Sequence, residues 1–181
     1  GDRSMKNWVL ALLAVAVFIG CASAPKSEGY AKDMASSCEK NLAKLTKNDE
    51  KLQEKLDKAA GYAMFPLVVK GGAWLGYGYG EGAVFEGGKL VAYTTVNDFS
   101  IAFQAGGHGF SMLIVFDEKK DLEDFMAGNF EFSAGADAVF FPWGVGVMTR
   151  VAGSSTYFYS RGGLAYCADA SGMVFSVAKD E

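Results

Sequence analysis

The sequence predicts an α+β protein in which helices cover an antiparallel, β-rich body. Residues 28–60 are rich in the strong helix formers Lys, Glu, Ala and Leu, whereas residues 61–178 alternate in hydrophobicity between glycine-containing turns. Half of the 181 residues are hydrophobic and 14% are aromatic, which suits one ordered domain with a core. We expect a barrel-like or strongly curved sheet of about 8–10 strands, covered by N-terminal amphipathic helices and one short internal helix.

The N-terminus has the pattern of an export signal. Residues 1–4 precede the first methionine and are predicted to be a cloning scar. Residues 5–20 place a lysine before an apolar run of signal-peptide length, shorter than the ~20 residues that span a bilayer. The run ends in FIGCASAP, which resembles the bacterial lipobox and implies diacylation of Cys21. Residues 21–27 would then be a lipidated linker; cleavage after Ala24 is the alternative.

A lipidated chain of this kind belongs in the bacterial cell envelope. Ala22 rather than Asp follows the cysteine, which resembles the signal for the outer membrane and implies its periplasmic face. Two further cysteines, Cys38 and Cys167, lie in the mature chain. The sequence leaves open whether they form a disulfide, and we favour two buried free thiols.

The pattern of residues 28–60 predicts two helices, at about 28–45 and 49–60, separated by a kink or short turn. Asp49 interrupts the apolar stripe, and Thr46 or Asn48 is the expected N-cap of the second helix. We expect the leucines to pack on the protein and the lysines to face solvent; the alternative is contact with anionic lipid head groups. The lysine stripe consists of Lys40, Lys44, Lys47, Lys51, Lys55 and Lys58.

The stretch GGAWLGYGYGEGAVFEGG, residues 71–88, has letters of a dinucleotide-binding loop without its context. A hairpin turning at Gly87-Gly88 follows, rather than a helix whose N-terminus could hold a phosphate. Nucleotide binding is therefore not expected. The stretch is expected to form a strand, one face of which carries only the glycines Gly76, Gly78, Gly80 and Gly82. A strand face without side chains predicts close approach of another element, a bend or a ligand groove.

The remainder predicts short strands and one helix. The helix, at about 118–127, begins at an Asp117 cap and ends at Gly128. Its inner face carries Leu122, Phe125 and Met126. Turns are expected at Asn97-Asp98 and in PWG, GSS, RGG and DASG. The strands are predicted at about 89–96, 99–105, 109–116, 130–140, 145–152, 156–161, 163–169 and 172–178.

Motifs along the body resemble the SYLF domain, also called the Ysc84 domain. They are GYAMFP (61–66), Lys70-Gly71-Gly72, GYGYGEG (76–82), YTTVNDFSIAFQAGG (93–107), LIVFDEKKDLEDFMAG (113–128) and FSAGADA (132–138). The resemblance covers roughly residues 45–177, so we assign a SYLF-like domain to residues 28–181. It implies phospholipid binding and offers no settled catalytic site.

No catalytic constellation stands out in the sequence. His108 is the single histidine, and H-E-x-x-H, C-x-x-C and G-x-S-x-G are absent. We expect a non-catalytic protein without cofactor or metal. The net charge of −4 does not favour a nucleic-acid partner.

The expected function is that of a lipid-anchored envelope protein with a phospholipid-binding domain. The alternative is a structural or protein-interaction lipoprotein that binds lipid only through its acyl anchor; the sequence names no protein partner. Lys70 could meet a phosphate or, alternatively, form a salt bridge. Phe65, Trp74, Tyr77 and Tyr79 could line an apolar groove or belong to the core. The candidate lipid contacts, besides acylated Cys21, are Lys40, Lys44, Lys47, Lys51, Lys55, Lys70 and Trp74.

Overall fold

The computed structural model describes residues 28–47, 49–72, 75–102, 106–128, 131–133, 146–151, 154–160 and 169–179. The helices are α1 (Glu28–Thr46), α2 (Glu50–Lys58) and α3 (Lys119–Met126). The strands are β1 (Gly61–Gly72), β2 (Leu75–Glu86), β3 (Lys89–Ala102), β4 (Gly106–Phe116), β5 (Glu131–Ser133), β6 (Gly146–Val151), β7 (Ser154–Ser160) and β8 (Asp169–Lys179).

The eight strands that the described residues form belong to one antiparallel sheet, which confirms the predicted α+β class. Their order is β5-β8-β3-β2-β1-β4-β7-β6. Within the described ranges the end strands β5 and β6 each pair with one neighbour and not with each other. The pairing is therefore that of an open sheet rather than a closed barrel.

The inner face of the sheet packs against α3. Phe65 in β1 and Phe175 in β8 have ring centroids 5.8 Å apart, although β2 and β3 lie between their strands. Three strand spacings of about 4.8 Å separate those strands in a flat sheet, so the sheet bends around this face. The buried core of the inner face includes Ala63, Phe65, Val84, Val96, Met112 and Phe116 from the sheet, and Leu122 and Phe125 from α3.

The outer face of the sheet packs against α1 and α2. Cys38 and Leu52 from the helices are buried against Met64, Phe85 and Leu113 from the sheet. The remaining helix leucines are half-buried in the same cluster, while the lysines point away from it. The leucine side therefore packs on the protein, as the helical wheel predicts.

A bulge in β1 explains how a central strand accommodates a proline. The pairing of β1 with both neighbours shifts register around Phe65 and Pro66. Proline cannot donate to a ladder and is tolerated at such irregularities. Its carbonyl oxygen accepts a 2.8 Å hydrogen bond from the Ser111 hydroxyl. Because of the extra residue, Phe65 and Val68 both face the inner core.

Two helix caps differ from the predictions. Asp49, rather than Thr46 or Asn48, caps α2, because its carboxylate accepts the Leu52 amide at 3.0 Å. The residue that breaks the apolar stripe is thus the helix start. Glu118, rather than Asp117, occupies the cap position of α3. Gly128 ends α3 as predicted, with a φ of 75°.

The strand predictions succeed at one turn and fail at another. Gly87 and Gly88 form the β2–β3 hairpin with φ values of 56° and 77°. The predicted turn at Asn97-Asp98 is wrong, because both residues lie inside the continuous strand β3 and face partners on neighbouring strands. DASG is likewise the start of β8 rather than a turn. Residues 134–145 and 161–168, which contain the predicted PWG and RGG turns, lie outside the described residues.

Candidate functional site

Six large apolar side chains are exposed together on the outer face, beyond the area that α1 and α2 cover. The register pairs Val69 with Tyr79, and Tyr77 with Phe99, so these side chains share one face. Leu75 is the most exposed of them, at 74% of its surface. We call this surface the exposed aromatic patch; it consists of Leu67, Val69, Leu75, Tyr77, Tyr79 and Phe99.

The tyrosines of the patch are held by hydrogen bonds at their hydroxyls. Tyr77 donates to the Asn97 side-chain oxygen at 2.8 Å, and its ring centroid lies 5.3 Å from that of Phe99. Tyr79 donates to the Glu81 carboxylate at 2.7 Å. Burial, with a smaller contribution from the neighbouring Tyr77, raises the pKa of Tyr79 and keeps it a donor. The patch is therefore apolar along its ring faces and polar at its fixed tips.

An open groove of about 340 Å³ adjoins the patch where α1 crosses β1 and β2. The Tyr30 hydroxyl of α1 donates to the second carboxylate oxygen of Glu81, so the first turns of α1 are held at this edge of β2. The lining is mostly apolar, with one acidic side chain. It includes Met34 and Ser37 from α1, and Pro66, Leu67, Tyr79 and Glu81 from the sheet.

The opposite face of β2 has no room for a ligand at its glycines. A Cβ at Gly80 would lie 2.7 Å from a methyl of Val68, and one at Gly82 would lie 2.4 Å from the Met64 carbonyl oxygen. At Gly78 it would lie 3.2 Å from the Asp98 Cβ. Close approach therefore explains these three glycines, as one of the sequence alternatives predicts.

Lys70 and Asp98 form a buried ion pair across Gly78. Their Nζ and Oδ2 atoms are 2.9 Å apart, and the two side chains are only 5% and 1% exposed. Because Gly78 lacks a side chain, residues from two strands that are not neighbours can meet above it. The salt bridge, rather than a surface contact, is thus the role that the geometry gives Lys70. Removing one partner of such a pair typically costs about 3–5 kcal/mol.

The other predicted lysines do not meet Lys70. Lys40, Lys44, Lys47 and Lys51 are exposed on α1, α2 and the turn between them. Lys55 forms a 3.1 Å ion pair with Asp117. These helices cover the outer face, so their lysines lie on the same side of the sheet as the exposed aromatic patch. Cys21 and Trp74 lie outside the described residues, Trp74 in the link between β1 and β2.

Cys38 is a free, buried thiol. It donates a 3.2 Å hydrogen bond to the Met64 carbonyl oxygen, and burial raises its pKa to about 12. A thiol in that state is a poor nucleophile, because the thiolate is the reactive form. The environment favours the buried-thiol prediction for Cys38, whereas Cys167 lies outside the described residues.

The described residues offer neither a metal-binding cluster nor a membrane-spanning helix. It contains no group of three or more His, Cys, Asp or Glu placed to hold a metal ion. None of its helices has the length and apolar character needed to cross a bilayer. The backbone of His108 pairs with Lys70 in the β1–β4 ladder.

Comparison with known proteins finds no protein-family model and no curated protein that matches this chain. The resemblance to the SYLF domain therefore stays a prediction from motifs.

Part of the exposed aromatic patch follows from the sequence. The sequence makes Tyr77 and Tyr79 candidates for an apolar groove, and both are exposed. Phe65, named with them, is fully buried in the inner core. The remaining patch residues were missed because their exposure depends on where α1 and α2 end over the sheet. The alternation of glycine and tyrosine in β2 was the available signal, since side chains opposite glycine share one face.

Proposed function

We propose that this chain is a lipid-anchored protein of the bacterial cell envelope whose folded domain binds phospholipid and carries no catalytic site. The exposed aromatic patch is the observation that carries the proposal. Large exposed apolar surfaces mark sites of interaction with proteins or membranes. Tyrosines with apolar rings and hydrogen-bonded tips suit the boundary between lipid chains and water.

The position of α1 supports a membrane rather than another partner. Six residues, 22–27, separate Cys21 from the start of α1 at Glu28, and the extended chain from Cys21 to Glu28 spans at most about 25 Å. The first turns of α1 lie beside the patch through the Tyr30–Glu81 hydrogen bond. An acyl anchor on Cys21 would therefore keep the patch within reach of the bilayer surface.

The lysine stripe supplies a second, electrostatic contribution. Each lysine close to an anionic membrane surface contributes about 1 kcal/mol, and this attraction weakens with salt. The motifs shared with the SYLF domain and the outer-membrane sorting pattern after Cys21 support the same proposal. They add an outer-membrane location, at its periplasmic face.

A protein-interaction lipoprotein is the second candidate, because exposed tyrosines are also frequent in protein interfaces. The two candidates differ in one outcome. The first candidate requires that the domain bind lipid without its acyl anchor. The second requires that the domain without its anchor not bind vesicles.

Vesicle flotation of a chain that begins at Ala22, and so lacks Cys21 but keeps every described residue, tests the proposal. We expect it to float with phospholipid vesicles, and Leu75→Asp to weaken that binding about tenfold, because a buried leucine contributes about 1.5–3 kcal/mol. Ala127→Asp, an equal charge change at an exposed site after α3, is the matched control and should bind normally. Absence of binding to neutral and anionic vesicles at every salt concentration would overturn the proposal and favour the second candidate.

A further inference from the structure

The groove beside α1 differs in charge from the lysine stripe. Its walls are apolar at Met34, Leu67 and Val69, and its one charged lining residue is Glu81. Both hydrogen bonds that the described residues give to the Glu81 carboxylate come from neutral tyrosine hydroxyls, those of Tyr30 and Tyr79. No ion pair to Glu81 occurs among the residues that the structure describes.

We propose that this groove takes one acyl chain of a bilayer phospholipid whose head group carries a primary ammonium, with the Glu81 carboxylate as the contact for that ammonium. This inference rests on the proposed function, since it names the lipid that the same surface selects. Phosphatidylethanolamine has the required chemistry.

The size and position of the groove fit an inserted chain. Its volume of about 340 Å³ lies at the lower end of the roughly 300–1,000 Å³ typical of ligand sites. Leu67, Val69 and Tyr79 belong both to the groove and to the exposed aromatic patch. A lipid chain entering the groove therefore continues the apolar surface that faces the bilayer.

Charge complementarity selects the head group. A carboxylate at the groove disfavours an anionic head group and attracts a cationic one. A primary ammonium also offers three N–H donors, and charge-assisted hydrogen bonds are stronger than neutral ones. The trimethylated ammonium of phosphatidylcholine has the same charge but no N–H to donate. Phosphatidylcholine is therefore the matched control lipid.

The test measures affinity for two kinds of neutral vesicle, one of phosphatidylcholine alone and one in which part of it is replaced by phosphatidylethanolamine. The protein is the chain that begins at Ala22, checked for cooperative unfolding. We expect about two- to fivefold tighter binding to the second vesicle, which is the lower part of the range for one net hydrogen bond. Glu81→Gln should bind the two kinds of vesicle with equal affinity.

Glu86→Gln is the matched control. It makes the same change on the same strand, at an exposed residue. Glu86 forms an ion pair with Lys119, whereas Glu81 accepts hydrogen bonds from tyrosine hydroxyls. It should keep the preference, which separates a role of Glu81 from any general effect of ethanolamine lipids on bilayer packing. A preference that is absent in the unaltered chain, or that persists in Glu81→Gln, would overturn the inference. Failure to bind any vesicle would instead overturn the proposed function.

Entry of the acyl chain has its own measurement. A polarity-sensitive dye on Val69→Cys, in a Cys167→Ala background, reports on the groove, because buried Cys38 reacts poorly with labels. The dye emission should shift to the blue when the labelled protein binds vesicles. Bound protein without this shift would show that no chain enters the groove.

Two other occupants are outcomes of the same experiments. If a chain beginning at Glu28 binds vesicles and one beginning at Ala22 does not, residues 22–27 occupy the groove and the inference is wrong. If the protein is a dimer that Val69→Asp converts to a monomer, a second copy covers this surface, and the inference is again wrong.

Discussion

Gly82 shows how one residue can serve packing rather than ligand binding. The aromatic ring of Phe65 lies across it, and an added Cβ would stand 2.8 Å from that ring. Alternation along β2 was enough to predict a bare glycine face. It could not identify what covers that face, because Phe65 and Met64 come from another strand across a bulge. Because Gly82 has no side chain, the Phe65 ring can lie over it, and that ring contacts Phe175.

Gly82→Ala should destabilise the fold by about 1–3 kcal/mol, the usual cost of overpacking, because its Cβ meets backbone that cannot easily move. Denaturant unfolding measures the difference. Gly29→Ala in α1 is the control, since nothing lies within 4 Å of its Cβ position. It should leave stability unchanged or raise it by up to about 1 kcal/mol. Equal stability of Gly82→Ala and the unaltered chain would contradict the packing argument.

At the scale of elements, the sequence predicts the helices and turns whose conformation depends on residues close together in the chain. Both N-terminal helices, α3 and the hairpin at Gly87-Gly88 follow from composition, periodicity and glycine conformation. The predicted turn at Asn97-Asp98 failed because the partners of these residues are distant in sequence. Asn97 accepts from Tyr77, and Asp98 meets Lys70 two strands away. Residues that are typical of turns were retained in a strand by contacts that no local window contains.

The start of α2 gives a prediction at this scale. Asp49→Ala should cost about 1 kcal/mol, because the Leu52 amide loses its side-chain acceptor. Asp49→Asn keeps an acceptor oxygen and should retain most of the stability, which thermal or denaturant unfolding would show. Equal losses in both variants would mean that the charge of Asp49, rather than its hydrogen bond, stabilises the helix.

At the scale of the whole molecule, the two candidate membrane contacts lie on one side of the sheet. The lysine-bearing helices cover one part of the outer face, and the exposed aromatic patch occupies another. The helical wheel predicted that lysines and leucines lie on opposite sides. It could not show that the patch lies beside the helices, because this depends on the register of three strands.

Reversing three exposed lysines tests their part in this arrangement. Lys40→Glu, Lys44→Glu and Lys51→Glu together should weaken binding to anionic vesicles about tenfold or more at low salt, given about 1 kcal/mol per lysine. Binding to neutral vesicles should change little, and the difference should fade with salt. The control reverses Lys89, Lys120 and Lys179, which are exposed on β3, α3 and β8. Equal weakening in both triple variants would show that net charge alone matters.

The ion pair across Gly78 also has a consequence for inheritance. Lys70, Gly78 and Asp98 occupy one row of three adjacent strands. Loss of either charge leaves the other charge unpaired in the interior, and a side chain at Gly78 crowds both residues. Descendants of a common ancestor should therefore keep the three residues together or replace them as a set. Such a linked triplet can reveal kinship between sequences whose overall similarity has faded.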